Sequence, residues 1–263
     1  MNIKSFYQND RNGTNGLSYH NTLFILLFII LSIPALAFLY KFISGIIISA
    51  ESIIPLLDSI DRKTMLVLNF EGTPSLDAFW FKYSEKTTWL PLIITATVSL
   101  ISAHPGTTRT KILFIAAVAL TIIITDQICA GILKPLIGRL RPSHDPHICF
   151  LLHYVNGYRG GLHGFVSNHA AINTAITTML CCVYKDRFSR ATFILFATLM
   201  CYSRIYLGVH YPGDILGGCA VGWVIAYTTF HKFGRNIHVY ATEDQPYVLL
   251  LVFYATLSFL VLQ

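Results

Sequence analysis

Apolar residues run in long uncharged blocks along this chain, at about 22–40, 88–103, 112–133, 170–184, 191–207, 213–230 and 247–262. Crossing about 30 Å of hydrocarbon takes roughly 20 mainly apolar residues in a helix. The pattern therefore predicts an all-α, polytopic membrane helix bundle of about six core transmembrane helices plus one extra segment at the N-terminal side. Ala35, Leu36 and Ala37 resemble a signal-cleavage site. The apolar run continues through Phe38 to Tyr40 and resumes at Phe42 to Ile48, further than a cleaved core of roughly 7 to 15 residues, so the segment reads as an uncleaved anchor. The stretch from about 45 to 87 interleaves Ile53, Ile54, Leu56, Leu57 and Ile60 with Asp58, Asp61, Arg62 and Lys63. This suits interfacial amphipathic helices, with Trp80 and Trp89 as anchors at the membrane surface. No repeat or flexible linker interrupts the pattern, so the expected organisation is a cytoplasmic tail over 1–21 and a single membrane domain over 22–263.

Composition agrees with the pattern. Hydrophobic residues make up 54% of the 263 and charged residues 12%, against about 25% charged in ordinary soluble domains, and the mean hydropathy is +0.58. The net charge is +6, but the cations are scattered between apolar blocks, as loop anchors or sites for an anionic ligand, which argues against nucleic acid as a partner. Alternate loops carry nine and ten cations, and the set of nine, from Lys4 and Arg11 to Lys232 and Arg235, sits in the shorter loops. The positive-inside rule weights short loops most, which places the N-terminus in the cytoplasm and the other set outside. The sequon at Asn12 would then be cytoplasmic. Five of the six cysteines lie in apolar segments and only Cys149 in a polar loop, so no disulfide framework or zinc site is expected.

Three polar clusters emerge together on the outer side. In the first, Lys134 to Pro142, each of Pro135 and Pro142 disfavours helix at the residue before it, so Lys134 and Arg141 are expected on irregular backbone. In the second, Val166-Ser167-Asn168-His169, Ser and Asn are favoured helix caps, and the following helix N-terminus is a ready anion site. In the third, Ser203 to Asp214, Pro212 suits a first helical position. That puts Asp214 in the first turn and His210 just before it, a base paired with its orienter. Each cluster alone also reads blandly, as a snorkelling anchor, a plain cap or a surface pair; two helix N-termini, two histidines and several cations on one side form a far stronger signal.

Together the clusters resemble the signature of the type 2 phosphatidic acid phosphatase family, K-x6-R-P, P-S-G-H and S-R-x5-H-x3-D. Lys134, Arg141 and Pro142 match the first element, and Ser203, Arg204, His210 and Asp214 the third. Ser167 and His169 match the second, with Val166 in place of its Pro and Asn168 in place of its Gly. The resemblance covers about 88–230 and implies a metal-independent lipid phosphate phosphatase without cofactors. His210 would attack phosphorus, Asp214 would orient it, and His169 would serve as acid and then base. Lys134, Arg141, Ser167, Asn168 and Arg204 would bind the phosphate oxygens. The implied substrates are envelope lipids: lipid A, undecaprenyl diphosphate, phosphatidylglycerophosphate or phosphatidic acid. The implied location is a bacterial inner membrane with the site facing the periplasm. The alternatives are a lipid phosphotransferase using the same phosphohistidine, a vanadium haloperoxidase, a glucose-6-phosphatase type of enzyme, or a noncatalytic membrane scaffold or transporter.

Asn tolerates φ > 0 better than most residues, so Asn168 is expected to keep the left-handed backbone of the family glycine. Asp126, inside an apolar block, is expected to be a neutral or paired structural residue beneath the site, since an isolated charge there costs roughly 2.5 to 3.5 kcal/mol. Asn173 either orients the His169 ring or makes a helix-packing hydrogen bond. Arg139 and Arg159 are candidate headgroup contacts, and His144, His147, His153 and His163 read as a solvated loop rather than a metal site.

Overall fold

The computed structural model describes residues 41, 53–102, 107–234 and 246–263; the tail over 1–21, its sequon and the first apolar segment lie outside them. The chain divides into two compact units, Met1–Leu57 and Asp58–Gln263. Of the first, residues 53–57 are helical. The second contains α1 (58–68), α2 (Pro74–Ser84), α3 (Leu90–Ser102), α4 (Thr108–Asp126), α5 (Lys134–Ile137), α6 (Asn168–Val183), α7 (Arg187–Tyr206), α8 (Pro212–Thr229) and α9 (Tyr247–Val261). Helices thus occupy all six apolar blocks from 88 onward. An isolated β bridge joins Leu140 and His163.

The α4 helix continues through a π-helical segment, Gln127–Leu133, into α5. The resulting 30-residue helix, Thr108–Ile137, has a mean hydropathy of 2.3 over its most apolar window, and 22% of that window is buried. At 1.5 Å per residue it is about 45 Å long, long and apolar enough to cross a membrane; α3 and α9 are shorter apolar helices. Their outer faces carry Ile94 (62% exposed) and Leu251 (69% exposed), the inverse of a water-facing surface.

The π segment corrects one expectation. Lys134 is helical (φ −63°, ψ −48°) despite preceding Pro135, and its N–H donates to the carbonyl of Cys129, five residues back. A proline ring clashes with the carbonyl four residues earlier in an α-helix, and the wider π turn relieves that clash, so the chain stays helical until Gly138 at φ 62°. Arg141 does take the extended conformation its proline demands (φ −68°, ψ 155°).

Packing beneath the site is set by small residues. The main partner of α6 is α8, and a Cβ at Gly222 would overlap the backbone carbonyl of Ala171 while one at Gly218 would lie 2.5 Å from that of Ser167. These glycines let the helix backbones touch, and the N–H of Ser167 donates to the carbonyl of Asp214 at 3.0 Å. Trp80 and Trp89 are not surface anchors. They are 8% and 3% exposed, packed with Tyr83, Phe196 and Phe253 in an aromatic cluster, and Trp89 Nε1 donates to the Tyr83 carbonyl at 2.7 Å.

Candidate active site

His210 ends the loop before α8, and Pro212 opens that helix. Asp214 follows in the first turn, where its Oδ2 accepts from the backbone N–H of Tyr211 at 3.1 Å, one half of a capping box. The same oxygen accepts from His210 Nδ1 at 3.3 Å. On the other side of the ring, Arg141 Nη1 lies 3.1 Å from His210 Nε2. A guanidinium can only donate, so Nε2 is the acceptor and the neutral ring carries its proton on Nδ1, toward Asp214. Burial of the ring, reinforced by the positive charges of Arg141, Arg204 and Lys134, holds its pKa well below the ordinary imidazole value. The ring therefore presents a nucleophilic lone pair at neutral pH. Gly164 makes room for the pair, since a Cβ there would sit 2.6 Å from Asp214 Oδ2.

The cations converge on the same point. Arg141 is held by the carbonyls of His163 (3.1 Å) and Val209 (3.2 Å). Arg204, near the end of α7, is 2% exposed. Its Nη2 donates to the Tyr158 hydroxyl at 3.2 Å, and its Nε is buried with no partner among the described residues. An unpaired buried guanidinium N–H is costly unless an anion completes it. Lys134 begins α5 half-buried. Ser167 caps α6, accepting from the N–H of Ala170 at 3.4 Å, while Ser203 turns away, donating to its own helix at the Met200 carbonyl.

Asn168 overturns the left-handed expectation. It is the first residue of α6, and among the described residues the only non-glycine at positive φ is Asn156. Sitting immediately after the Ser167 cap, it must take helical angles to start the helix. Its side chain instead donates from Nδ2 to Asp126 Oδ1 at 2.8 Å. His169 follows in the first turn, close enough to Arg204, His210 and Arg141 to feel their charge. It also borders a cavity of about 340 Å³ that runs between α3, α4, α6, α7 and α9. Asn173 donates to the His169 backbone carbonyl at 2.8 Å, which makes it a helix contact and not the orienter of the ring.

Several contributors were not expected. Arg139, read as a headgroup contact, is a hub: it reaches Asp58 at 2.9 Å, Asp61 at 2.7 Å and Asp214 at 3.0 Å and stacks over the Tyr211 ring at 4.2 Å. Asp61 also accepts from the Gly213 N–H at 2.7 Å, and Arg62 pairs with Asp145 at 2.9 Å. The polar face of α1 thus docks against the site instead of facing solvent. The alternation of Asp58, Asp61 and Arg62 at helical spacing was the available signal. Arg159 lies over the Tyr154 ring at 4.8 Å. The loop histidines are separately engaged, with His153 on Asp77 at 2.8 Å, His144 on Ser143 at 3.1 Å and His163 on the Gly138 carbonyl at 3.1 Å.

The chain is similar to several known proteins. The family described as the PAP2 superfamily matches residues 114–238. A lipid A 4'-phosphatase of Bacteroides thetaiotaomicron is 35% identical over 189 residues, covering 70% of this chain and 83% of that protein. A lipid A 4'-phosphatase of Porphyromonas gingivalis is 33% identical over 182 residues, covering 69% and 74%. The crystal structure of Aquifex aeolicus LpxE aligns with a TM-score of 0.49 at 22% identity, over 64% of this chain and 93% of that one. The extent and identity of the two lipid A phosphatase matches establish that the chain belongs to the PAP2 superfamily.

Proposed function

We propose that this PAP2 phosphatase removes a phosphate carried by the sugar of lipid A, through a phosphohistidine intermediate and without a metal. One observation carries the chemistry: the Nε2 lone pair of His210 is aimed at Arg141 while Asp214 holds the opposite nitrogen, beside an Arg204 whose buried Nε lacks a partner among the described residues. A phosphate arriving there replaces His210 as the acceptor for Arg141 and supplies one for Arg204, with Lys134 and the Ser167 hydroxyl completing the cradle. The cations then offset the charge spread over the equatorial oxygens.

His210 Nε2 forms a bond to phosphorus as the P–O bond to the leaving alcohol breaks, and His169, which takes up a proton as the phosphate anion binds beside it, gives that proton to the leaving oxygen. Asp214, itself held by the hub Arg139, fixes the ring and balances its positive charge. His169, now neutral, takes a proton from water as the water oxygen attacks phosphorus, and inorganic phosphate leaves with His210 neutral again. The substrate reading rests on the two relatives named as lipid A 4'-phosphatases and on a cavity bordering His169 that is lined mostly by apolar side chains. Six core spans, with the site at the periplasmic leaflet of an inner membrane, accord with the apolar helices and the short-loop cations.

The test is phosphate release by the full chain in mixed micelles with chelator present, from lipid A, undecaprenyl diphosphate, phosphatidylglycerophosphate and phosphatidic acid. Lipid A is expected to be the best substrate, and His210→Ala to reduce release by about a thousandfold or more. Release that survives the substitution, or none from lipid A, defeats the reading.

A further inference from the structure

Asn168 replaces the glycine of the P-S-G-H pattern and its side chain has a specific destination. Its Nδ2 is spent on Asp126 Oδ1 at 2.8 Å, which leaves Asn168 Oδ1 buried with no partner among the described residues. Both side chains line the 340 Å³ cavity together with His169 and Lys86. The rest of the lining is mostly apolar, with residues such as Trp89, Ile122, Ile176, Phe196 and Phe253. Volume and lining match a ligand pocket, mostly hydrophobic with a few placed polar groups.

The polar part of the lining holds both donors and acceptors. A carboxylate oxygen accepts hydrogen bonds, while the Asn168 and Asn173 amides, each bonded once through Nδ2, keep a second N–H, and the Lys86 ammonium is part of the same lining. The acceptors without a bond among the described residues are the second Asp126 oxygen and the buried Asn168 Oδ1, beside His169, where the leaving alcohol must sit to receive its proton. A leaving group bearing hydroxyl or amide N–H donors next to its phosphoester, as an amino sugar does, satisfies both. A polyprenyl phosphate has no such donor and would leave the buried Asn168 Oδ1 unpaired, which a site built from buried polar groups penalises. We infer that Asp126 and Asn168 form a hydrogen-bond-accepting subsite that selects sugar-linked lipid phosphates, with a hydrocarbon chain of the same lipid in the adjoining cavity. This rests on the phosphatase reading above and names the residues that set its substrate class.

Two measurements test it. The first compares kcat/KM for a phosphorylated glucosamine disaccharide lipid and for undecaprenyl phosphate, in wild type, Asp126→Asn and Asn168→Gly. Asp126→Asn keeps the shape but turns an acceptor into a donor. At least a tenfold fall on the sugar lipid is expected, with undecaprenyl phosphate turnover by Asp126→Asn within threefold of wild type. In both variants the ratio of the two substrates should collapse by about tenfold or more. An unchanged ratio, including an equal fall on both lipids, overturns the subsite. The second uses the inactive His210→Ala chain with Trp80→Phe and Trp223→Phe, leaving Trp89 as the fluorophore. Sugar lipid carrying brominated acyl chains should quench Trp89, with half-saturation shifted at least tenfold by Asp126→Asn. No quenching, or no shift, overturns the proposal. Quenching with the shift, in a wild type that releases no phosphate, would sustain the subsite and sink the phosphatase reading instead.

Discussion

His210 shows how much chemistry one ring draws from its neighbours. Its partners on opposite edges, Asp214 at 3.3 Å and Arg141 at 3.1 Å, dictate a single neutral tautomer, and burial among cations lowers its pKa. In histidine-labelled protein, nitrogen NMR should show this ring neutral and Nδ1-protonated at pH 6, where an exposed imidazole, with pKa about 6.5, is mostly charged. A charged ring at that pH, or an Nε2–H tautomer, would contradict the geometry. The sign for stability follows. The folded ring binds fewer protons than the unfolded one, so its contribution declines as pH falls below about 6.5. At this scale the motif spacing made His210, Asp214, Arg141 and Arg204 legible, but not which atom carries the proton. The Asn168 backbone was misread, because a glycine in the motif suggested a left-handed residue whereas the first position of α6 takes helical angles, and spacing says nothing of where the amide points.

Among elements, the contact between α6 and α8 brings the cap at Ser167 beside the one at Asp214. It depends on Gly218 and Gly222, where a side chain would drive into the backbone of Ser167 and Ala171. Gly222→Ala should destabilise the chain by about 1 to 3 kcal/mol through overpacking, whereas Gly161→Ala, with open space around its Cβ, should be nearly neutral. Thermal unfolding in detergent measures both, and equal melting temperatures for the two variants would refute the close-packing account. The apolar blocks made these helices legible. The π segment ahead of Lys134 was not, because the restriction on a residue before proline is a preference, and Lys134 takes helical angles against it inside a continuous helix.

Across the whole second unit, the site is assembled from positions as far apart as Asp58 and Asp214, joined by Arg139. Removing that hub leaves Asp214, fully buried, without its main counter-charge. Arg139→Gln is expected to cost about 3 kcal/mol of stability and to lower kcat at least tenfold with KM little changed, because the ring loses its orienter's support while the phosphate cradle is intact. Steady-state kinetics on the preferred lipid with a parallel melting curve would check this, and a change in KM alone would place Arg139 at the headgroup instead. By itself the sequence determined the helical architecture and the resemblance to a phosphatase family, since apolar runs and motif spacing are local and each is written within a few dozen residues. Only the tertiary structure decided that α1 buttresses the site, that Trp80 and Trp89 are interior, and that Asp126 and Asn168 share one wall of a cavity. Those outcomes depend on which side chains meet across more than forty to more than one hundred and fifty positions, and packing in three dimensions, not periodicity along the chain, selects those pairs.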